Sequence, residues 1–200
     1  MSLQSNNMAF KTPVSSIDEL QSLFARLGIP ADYPTTSGLP FHPEPDQLVD
    51  AGHDMFQRPV QLTPVALRAW QAMQAAAARD GITLQLISAF RSVAYQADLI
   101  KRKLASGRTL EDVLAYTAAP GFSEHHTGRA IDIGTPGSKP LETEFDSTAA
   151  YAWLTANAED YGFLLSYPEG GTGMICYEPW HWCYHETIDA HLLDKTEFKE

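Results

Sequence analysis

Two stretches hold the residue types that can do chemistry: Ser123-Glu124-His125-His126-Thr127-Gly128-Arg129-Ala130-Ile131-Asp132, and later Glu178-Pro179-Trp180-His181. Together they offer two imidazoles and a carboxylate as metal ligands, with one further carboxylate left free. That set suits a catalytic zinc, which takes three protein ligands of the N,N,O type, keeps an open position for water and works beside a base. A lone histidine is more often a hydrogen-bonded core or surface residue, and a lone aspartate a cap or turn. The company shifts this reading. Gly128 permits a tight backbone approach, Ala130 keeps the following strand lean, and a second histidine arrives with an acid three residues before it.

The elements that must position these groups follow from periodicity and punctuation. Ser16-Ile17-Asp18-Glu19 is a capping box, and Leu20, Leu23, Phe24 and Leu27 continue it as a helix closed by Gly28. Residues 29–48 carry five prolines and a glycine and read as an irregular surface segment. Thr63-Pro64 opens a helix with Ala66, Trp70, Met73 and Ala77 on one face, ended by Gly81. Residues 82–89 are β-rich and predict a strand. Ser92 then caps a helix to about Ser106, and Thr109 starts a shorter one ending before Pro120. Residues 129–133 predict a short strand, and Asp146 or Ser147 caps a helix closed by Gly162. Residues 163–167 and 175–184 predict two antiparallel strands joined through Pro168-Glu169-Gly170-Gly171. The order predicts an α+β fold, with helices packed on a small antiparallel sheet. Residues 1–48 are expected to form an N-terminal helix and Pro-rich extension, and residues 49–200 the catalytic domain, in one compact unit.

Bulk properties narrow the partners. Two hundred residues with 44% hydrophobic content can bury a full core. The net charge of -11 argues against nucleic acid or an anionic membrane as partner, since phosphate binding needs clustered cations. The fourteen basic residues are scattered; only Lys101-Arg102-Lys103 are adjacent, and they read as a solvated helix face. No apolar run reaches the length of a membrane span. Met1 to Lys11 are polar and lack the apolar core of a secretory signal, so the chain is either cytoplasmic or begins after a removed signal. Cys176 and Cys183, on one extended strand, would lie on the order of 20 Å apart. A disulfide needs Cα atoms within about 7 Å, so both read as free, buried thiols.

The pattern Ser-x-His-x-x-Gly-x-Ala-x-Asp, then Glu-x-Trp-His, resembles the zinc D-alanyl-D-alanine carboxypeptidases of the vancomycin-resistance type. Their relatives include L,D-carboxypeptidases, D-alanyl-D-alanine dipeptidases, some phage endolysin peptidases and the Hedgehog signalling domain. The likeness runs over roughly residues 82–184 and includes "SAFRS" (88–92), "PGFSEHHTGRAIDIG" (120–134), the "WL…YGF" passage (153–163) and "YEPWHW" (177–182). It implies a Hedgehog/DD-peptidase fold and zinc held by His125, Asp132 and His181. Glu178 would be the general base, and Arg91 would steady the oxyanion. Ser123 and Gln96 correspond to family positions that hold substrate, and Tyr167 and Trp180 would line the cleft. The implied substrate is a peptidoglycan stem peptide, cleaved by a monomer in the periplasm or at the cell surface. A cleavage of L,D or endopeptidase type is the nearest alternative, and a non-catalytic module with a structural zinc is the alternative of another class.

Several neighbours are weighed against the ligand set. His126 lies beside His125, and on a near-extended segment adjacent side chains point opposite ways, so His126 is expected behind the site or at its rim. Glu124 reads as a solvated acid, and His53, His185 and His191 as ordinary histidines. Glu178 and His181, three apart, would face opposite sides of a regular strand, so a bulge or bend is expected at Pro179. The chain also has Ser166 and Cys183 where relatives often carry arginines, which points to altered recognition of the substrate's carboxylate or of its flanking sugar-peptide.

Overall fold

A computed structural model of the chain describes residues 17–186. Its first helix, α1 (Ile17–Leu27), buries Leu20 and Phe24. The expected cap at Ser16 lies outside the described residues. Residues 29–48 are not a plain surface segment. A short helix, α2 (Tyr33–Thr36), buries Tyr33, whose ring meets Phe24 and Phe122 edge-on and whose hydroxyl accepts from the Ala119 N–H at 3.2 Å. Further on, Glu44 accepts from the Val93 N–H at 2.6 Å, and the His42 N–H donates to the Gly121 carbonyl at 2.7 Å. The prolines limit regular structure here to that one short helix without preventing tertiary hydrogen bonds.

A hairpin absent from the sequence expectation follows: β1 (Val49–His53) pairs antiparallel with β2 (Pro59–Leu62). β1 has no apolar alternation, and its turn is organised by one buried side chain. Asp54 Oδ1 accepts from the N–H groups of Phe56 and Arg58, each at 2.9 Å. Helix α3 (Pro64–Arg79) then buries Ala66, Trp70, Met73 and Ala77 as expected. The larger of these side chains each contribute roughly 1.5–3 kcal/mol. Thr63 occupies the cap position, but its hydroxyl makes no capping bond.

The main sheet has four antiparallel strands in the order β3 (Gln85–Ser88), β4 (Ala130–Gly134), β6 (His181–Tyr184), β5 (Phe163–Leu165). Helix α4 (Val93–Ala105) follows β3, with Ser92 Oγ accepting from the Tyr95 N–H at 3.1 Å. Thr109 caps α5 (Leu110–Leu114) in the same way. Helix α6 (Ala149–Asn157) is capped by Thr148; Asp146 and Ser147 belong to a 3-10 turn just before it. The fold is therefore α+β, as the element order implies.

β4 is buried along its whole length, and its alternation divides the labour. Ile131 and Ile133 join Leu86, Trp182 and residues of α3 and α6 in one apolar core. A second cluster, built from α1, α2, α4 and α5 around Phe122, buttresses the loop before β4. Asp132 faces away from Ile131 and Ile133, and its registered partner on β6 is His181. The final strand is shorter than expected because residues 175–180 bond elsewhere. The Cys176 N–H donates to Ala115 O at 2.8 Å and the Glu178 N–H to Tyr167 O at 3.1 Å. Cys183 is buried and Cys176 exposed, so only one of the two free thiols is in the interior.

Candidate metal centre and active site

Antiparallel register supplies the first two donors. Residues directly opposite in such a pair present their side chains on one face, within reach of each other. Asp132 Oδ1 and His181 Nδ1 lie 3.1 Å apart. The third donor arrives from a 3-10 turn over Glu124–Thr127, ended by Gly128 at φ +63°. A Cβ at Gly128 would come within 2.7 Å of Leu48, and its carbonyl accepts from Thr63 N–H at 2.9 Å. Only glycine meets both requirements without strain. The turn brings the His125 ring edge-on to His181, with centroids 4.8 Å apart. One donor atom from each of His125, Asp132 and His181 falls within 4.8 Å of the other two, and all three residues are buried.

The hydrogen bonds decide which nitrogens face this space. His125 Nδ1 is 2.7 Å from the Ala89 carbonyl, so Nδ1 carries the proton and Nε2 presents a lone pair. That lone pair has no hydrogen-bond partner and lies 3.2 Å from Asp132 Oδ2. Burial, then the Arg91 charge, lowers the His125 pKa to about 4, which keeps the ring neutral. Two acceptors facing each other in a buried space call for a cation between them. His181 Nε2 is 2.8 Å from Glu124 Oε2, leaving Nδ1 toward Asp132. Burial opposes a charge on His181, but hydrogen bonds to Asp132 and Glu124 outweigh it and raise its pKa to about 10. Against the cost of burial, the two imidazoles hold Asp132 below the usual carboxylate range. The donors, their lone pairs and their burial fit a zinc ion.

His126 is neither a donor to this space nor a rim residue. It is 0% exposed, with Nδ1 2.6 Å from Arg91 O and Nε2 accepting from Gly121 N–H at 3.0 Å. Both nitrogens are used, so it bolts the turn to the Arg91 backbone. Its side chain diverges from that of His125 because the segment is a 3-10 turn, not an extended one.

Glu124 is not a solvated acid. Besides His181 it accepts from the Ser166 hydroxyl at 2.6 Å. Burial raises its pKa, but His181 and then Ser166 bring it down to about 2. No sequence signal marks this role, since nothing local pairs residue 124 with residue 181. Ser166 therefore lies behind His181, on its Nε2 side. Burial and the same Glu124 charge push the nearby Cys183 thiol up. Neither Ser166 nor Cys183 lines the cavity over the site.

That cavity, of about 610 Å³, is lined by Asp132, Glu178, Arg91 and Trp180 among others. A depression of about 670 Å³ between residues 81–83 and 147–150 has Glu144 as its lone titratable lining group and offers no comparable chemistry. Glu178 Oε2 is 3.9 Å from His181 Nδ1. The bend expected at Pro179 is a full turn, closed by the His181 N–H donating to Glu178 O at 3.1 Å. Burial raises the Glu178 pKa to about 7, partly offset by His181 and, more weakly, by Arg91 and Lys103. The Arg91 Nε is buried with no partner, and the Arg91 backbone N–H donates to His125 O at 3.2 Å.

The four residues carried as substrate contacts are placed differently. Tyr167 packs its ring 4.8 Å from that of His181, and Trp180 lines the cavity. Ser123 is buried at the start of the 3-10 turn, its carbonyl accepting from His126 N–H at 3.0 Å. Gln96 is 0% exposed and donates to Ala118 O at 2.8 Å, so its side chain braces the loop from behind, and its Oε1 has no partner. His53 and His185 are exposed, and His191 lies outside the described residues.

Known proteins are similar to this chain in sequence and in fold. YodJ of Bacillus subtilis (strain 168) is 31% identical over 180 residues, covering 86% of this chain. The chain spans 65% of the length of YodJ. The bifunctional D-Ala-D-Ala dipeptidase and D-Ala-D-Ala carboxypeptidase VanXYC of Enterococcus gallinarum is 33% identical, covering 70% of this chain and 75% of VanXYC. The structure of the LdcB LD-carboxypeptidase, solved for its recognition of peptidoglycan, superposes with a TM-score of 0.63 at 32% identity, covering 70% of this chain and 69% of LdcB. The sequence model of the VanY family, D-alanyl-D-alanine carboxypeptidase, matches residues 59–187, well over half of the chain, and the chain belongs to that family.

Proposed function

We propose that the chain is a zinc-dependent carboxypeptidase that removes the terminal D-alanine from peptidoglycan stem peptides ending in D-alanyl-D-alanine. The observation that carries this is the buried His125 Nε2 lone pair facing Asp132 Oδ2 at 3.2 Å, with Glu178 Oε2 3.9 Å from His181 Nδ1. His125, Asp132 and His181 would hold the zinc, which would supply Lewis acidity and make water a nucleophile near neutral pH. Glu178 takes the proton from the attacking water and returns it to the leaving amine. A pKa of about 7 suits a group that must do both. Arg91 stabilises the negative charge that develops on the scissile carbonyl oxygen, where a fixed guanidinium in a buried setting acts most strongly. Glu124 holds the His181 ring so that Nδ1 faces the site, and Tyr167 and Trp180 wall the cleft. Among the described residues three donors converge without a fourth, which favours catalysis over a closed structural zinc. Such a substrate implies work in the periplasm or at the cell surface.

Likeness to LdcB favours a second reading, release of the terminal residue across an L,D bond by the same groups. Incubation of the zinc-loaded chain with defined pentapeptide and tetrapeptide stems, with products weighed by mass spectrometry, tests both. D-Alanine release from the pentapeptide, abolished by a chelator and restored by zinc, is expected. Release from the tetrapeptide alone would replace the D,D assignment with the L,D one, and no release from either would overturn both.

A further inference from the structure

The run Lys101-Arg102-Lys103 is not a uniformly solvated face. Lys101 and Arg102 are exposed, and Arg102 covers the Tyr95 ring. Lys103 turns inward: it is half-buried, donates to Thr117 Oγ1 at 2.6 Å, and lines the active-site cavity together with Arg91 and Arg108. Among the described residues, none of these three cations has a carboxylate within 4.0 Å, whereas Arg58 at the same cavity is paired to Asp54. The same cavity is lined by the acids Asp132, Glu142 and Glu178, none of them within 4.0 Å of these three cations among the described residues. Burial, then Arg91 and Arg108, makes the Lys103 charge harder to hold, and Glu178 and Asp132 across the cavity offset this only in part, so an anionic ligand at the wall would relieve the remainder.

We propose that Lys103 and Arg108, beside Arg91, form a subsite that reads the free carboxylate of the residue to be released. The inference rests on the carboxypeptidase reading and deepens it. A substrate of an exopeptidase has one obligatory negative group near the scissile bond, its terminal carboxylate, about one residue away, or roughly 3.8 Å of chain. Arg91 serves the scissile carbonyl, and the wall beyond it receives the terminus. Thr117 occupies one of the three Lys103 donors and leaves two for the ligand. Ser166 and Cys183, which stand behind His181, take no part in carboxylate recognition.

The test compares wild type with Lys103→Met, Arg108→Met and the double variant. Each is given a stem peptide ending in D-Ala-D-Ala as the free acid and as the C-terminal amide. The expected result is a wild-type preference for the acid over the amide that falls on the order of 10- to 100-fold in the double variant, carried by KM. Binding of D-alanine and D-alaninamide, measured by calorimetry on the same zinc-loaded proteins, needs no turnover and should show the same loss of discrimination. Equal acid and amide binding by wild type, or an acid-to-amide ratio unaltered in the double variant, overturns the subsite. If wild type cleaves neither peptide yet binds D-alanine over its amide through Lys103, the substrate reading fails and the subsite stands. Lys103 also bonds Thr117, so should Lys103→Met fold poorly, Arg108→Met at its exposed position decides between these outcomes.

Discussion

The donor set of His125, Asp132 and His181 and the wall of Arg91, Lys103 and Arg108 meet at one cavity, which the donor set reaches through Asp132, and they are built on opposite principles. In the pocket every donor is buried, and each imidazole is held by a hydrogen bond from outside the set, His125 by Ala89 and His181 by Glu124. On the wall the charges are half-buried or exposed, and they lack carboxylate partners among the described residues. A buried group of acceptors with locked orientations suits a resident cation; a looser row of donors suits an anion that must arrive and leave. Rigidity is thus concentrated where the ligand never changes.

The sharpest way to break the pocket is to remove the acceptor between the two imidazoles. Asp132→Ala should weaken zinc binding by at least about a thousandfold, read by chelator competition, because both histidines lose the anion that faces them. Glu178→Gln should leave zinc stoichiometry intact while kcat falls by roughly 10²- to 10⁴-fold, since it removes a base and no ligand.

The pH dependence of zinc binding sharpens the contrast further. In the metal-free chain His181 is raised from 6.5 to about 10, so its charge stabilises the fold fully below about pH 6.5 and that contribution is lost as pH rises through about 10. Zinc must displace this proton, so apparent affinity should climb roughly tenfold per pH unit between pH 7 and 9, with about one proton released per zinc. Calorimetry in buffers of different ionisation enthalpy measures it; pH-independent binding would mean that Nδ1 is already bare. The smallest effect is reserved for Glu124→Gln, which keeps the shape but weakens the acceptor for His181 Nε2. Zinc affinity should fall on the order of 10- to 100-fold, while acid-over-amide selectivity at the wall is unchanged.

Much of the donor set was legible as spacing. His125, Asp132, Glu178 and His181 were picked out by their likeness to the family's motifs, with glycine and small strand residues in support, and the bend at Pro179 followed from requiring Glu178 and His181 to reach one site. Helices α3, α4 and α5 were legible because their caps and apolar stripes are local. The β1–β2 hairpin was not, because its turn depends on one aspartate taking three bonds, including the Arg58 Nε contact at 2.6 Å. The burial of Gln96 and Ser123, expected as substrate contacts from the resemblance, was not legible, since it comes from the packing of α4 against residues 118–123.

Residue chemistry, local propensity and the α+β order of elements were all present in the bare chain, because each depends on neighbours within a turn or a strand. Which nitrogen of each histidine faces the site was set only on folding, through Ala89 and Glu124, at separations of 36 and 57 residues. So was the inward turn of Lys103, where a charge run that looks solvated along the chain meets Thr117 and the cavity. Hydrogen-bond partners and cation pairing are properties of surfaces brought together. A one-dimensional pattern records the groups available, and folding chooses which of them meet.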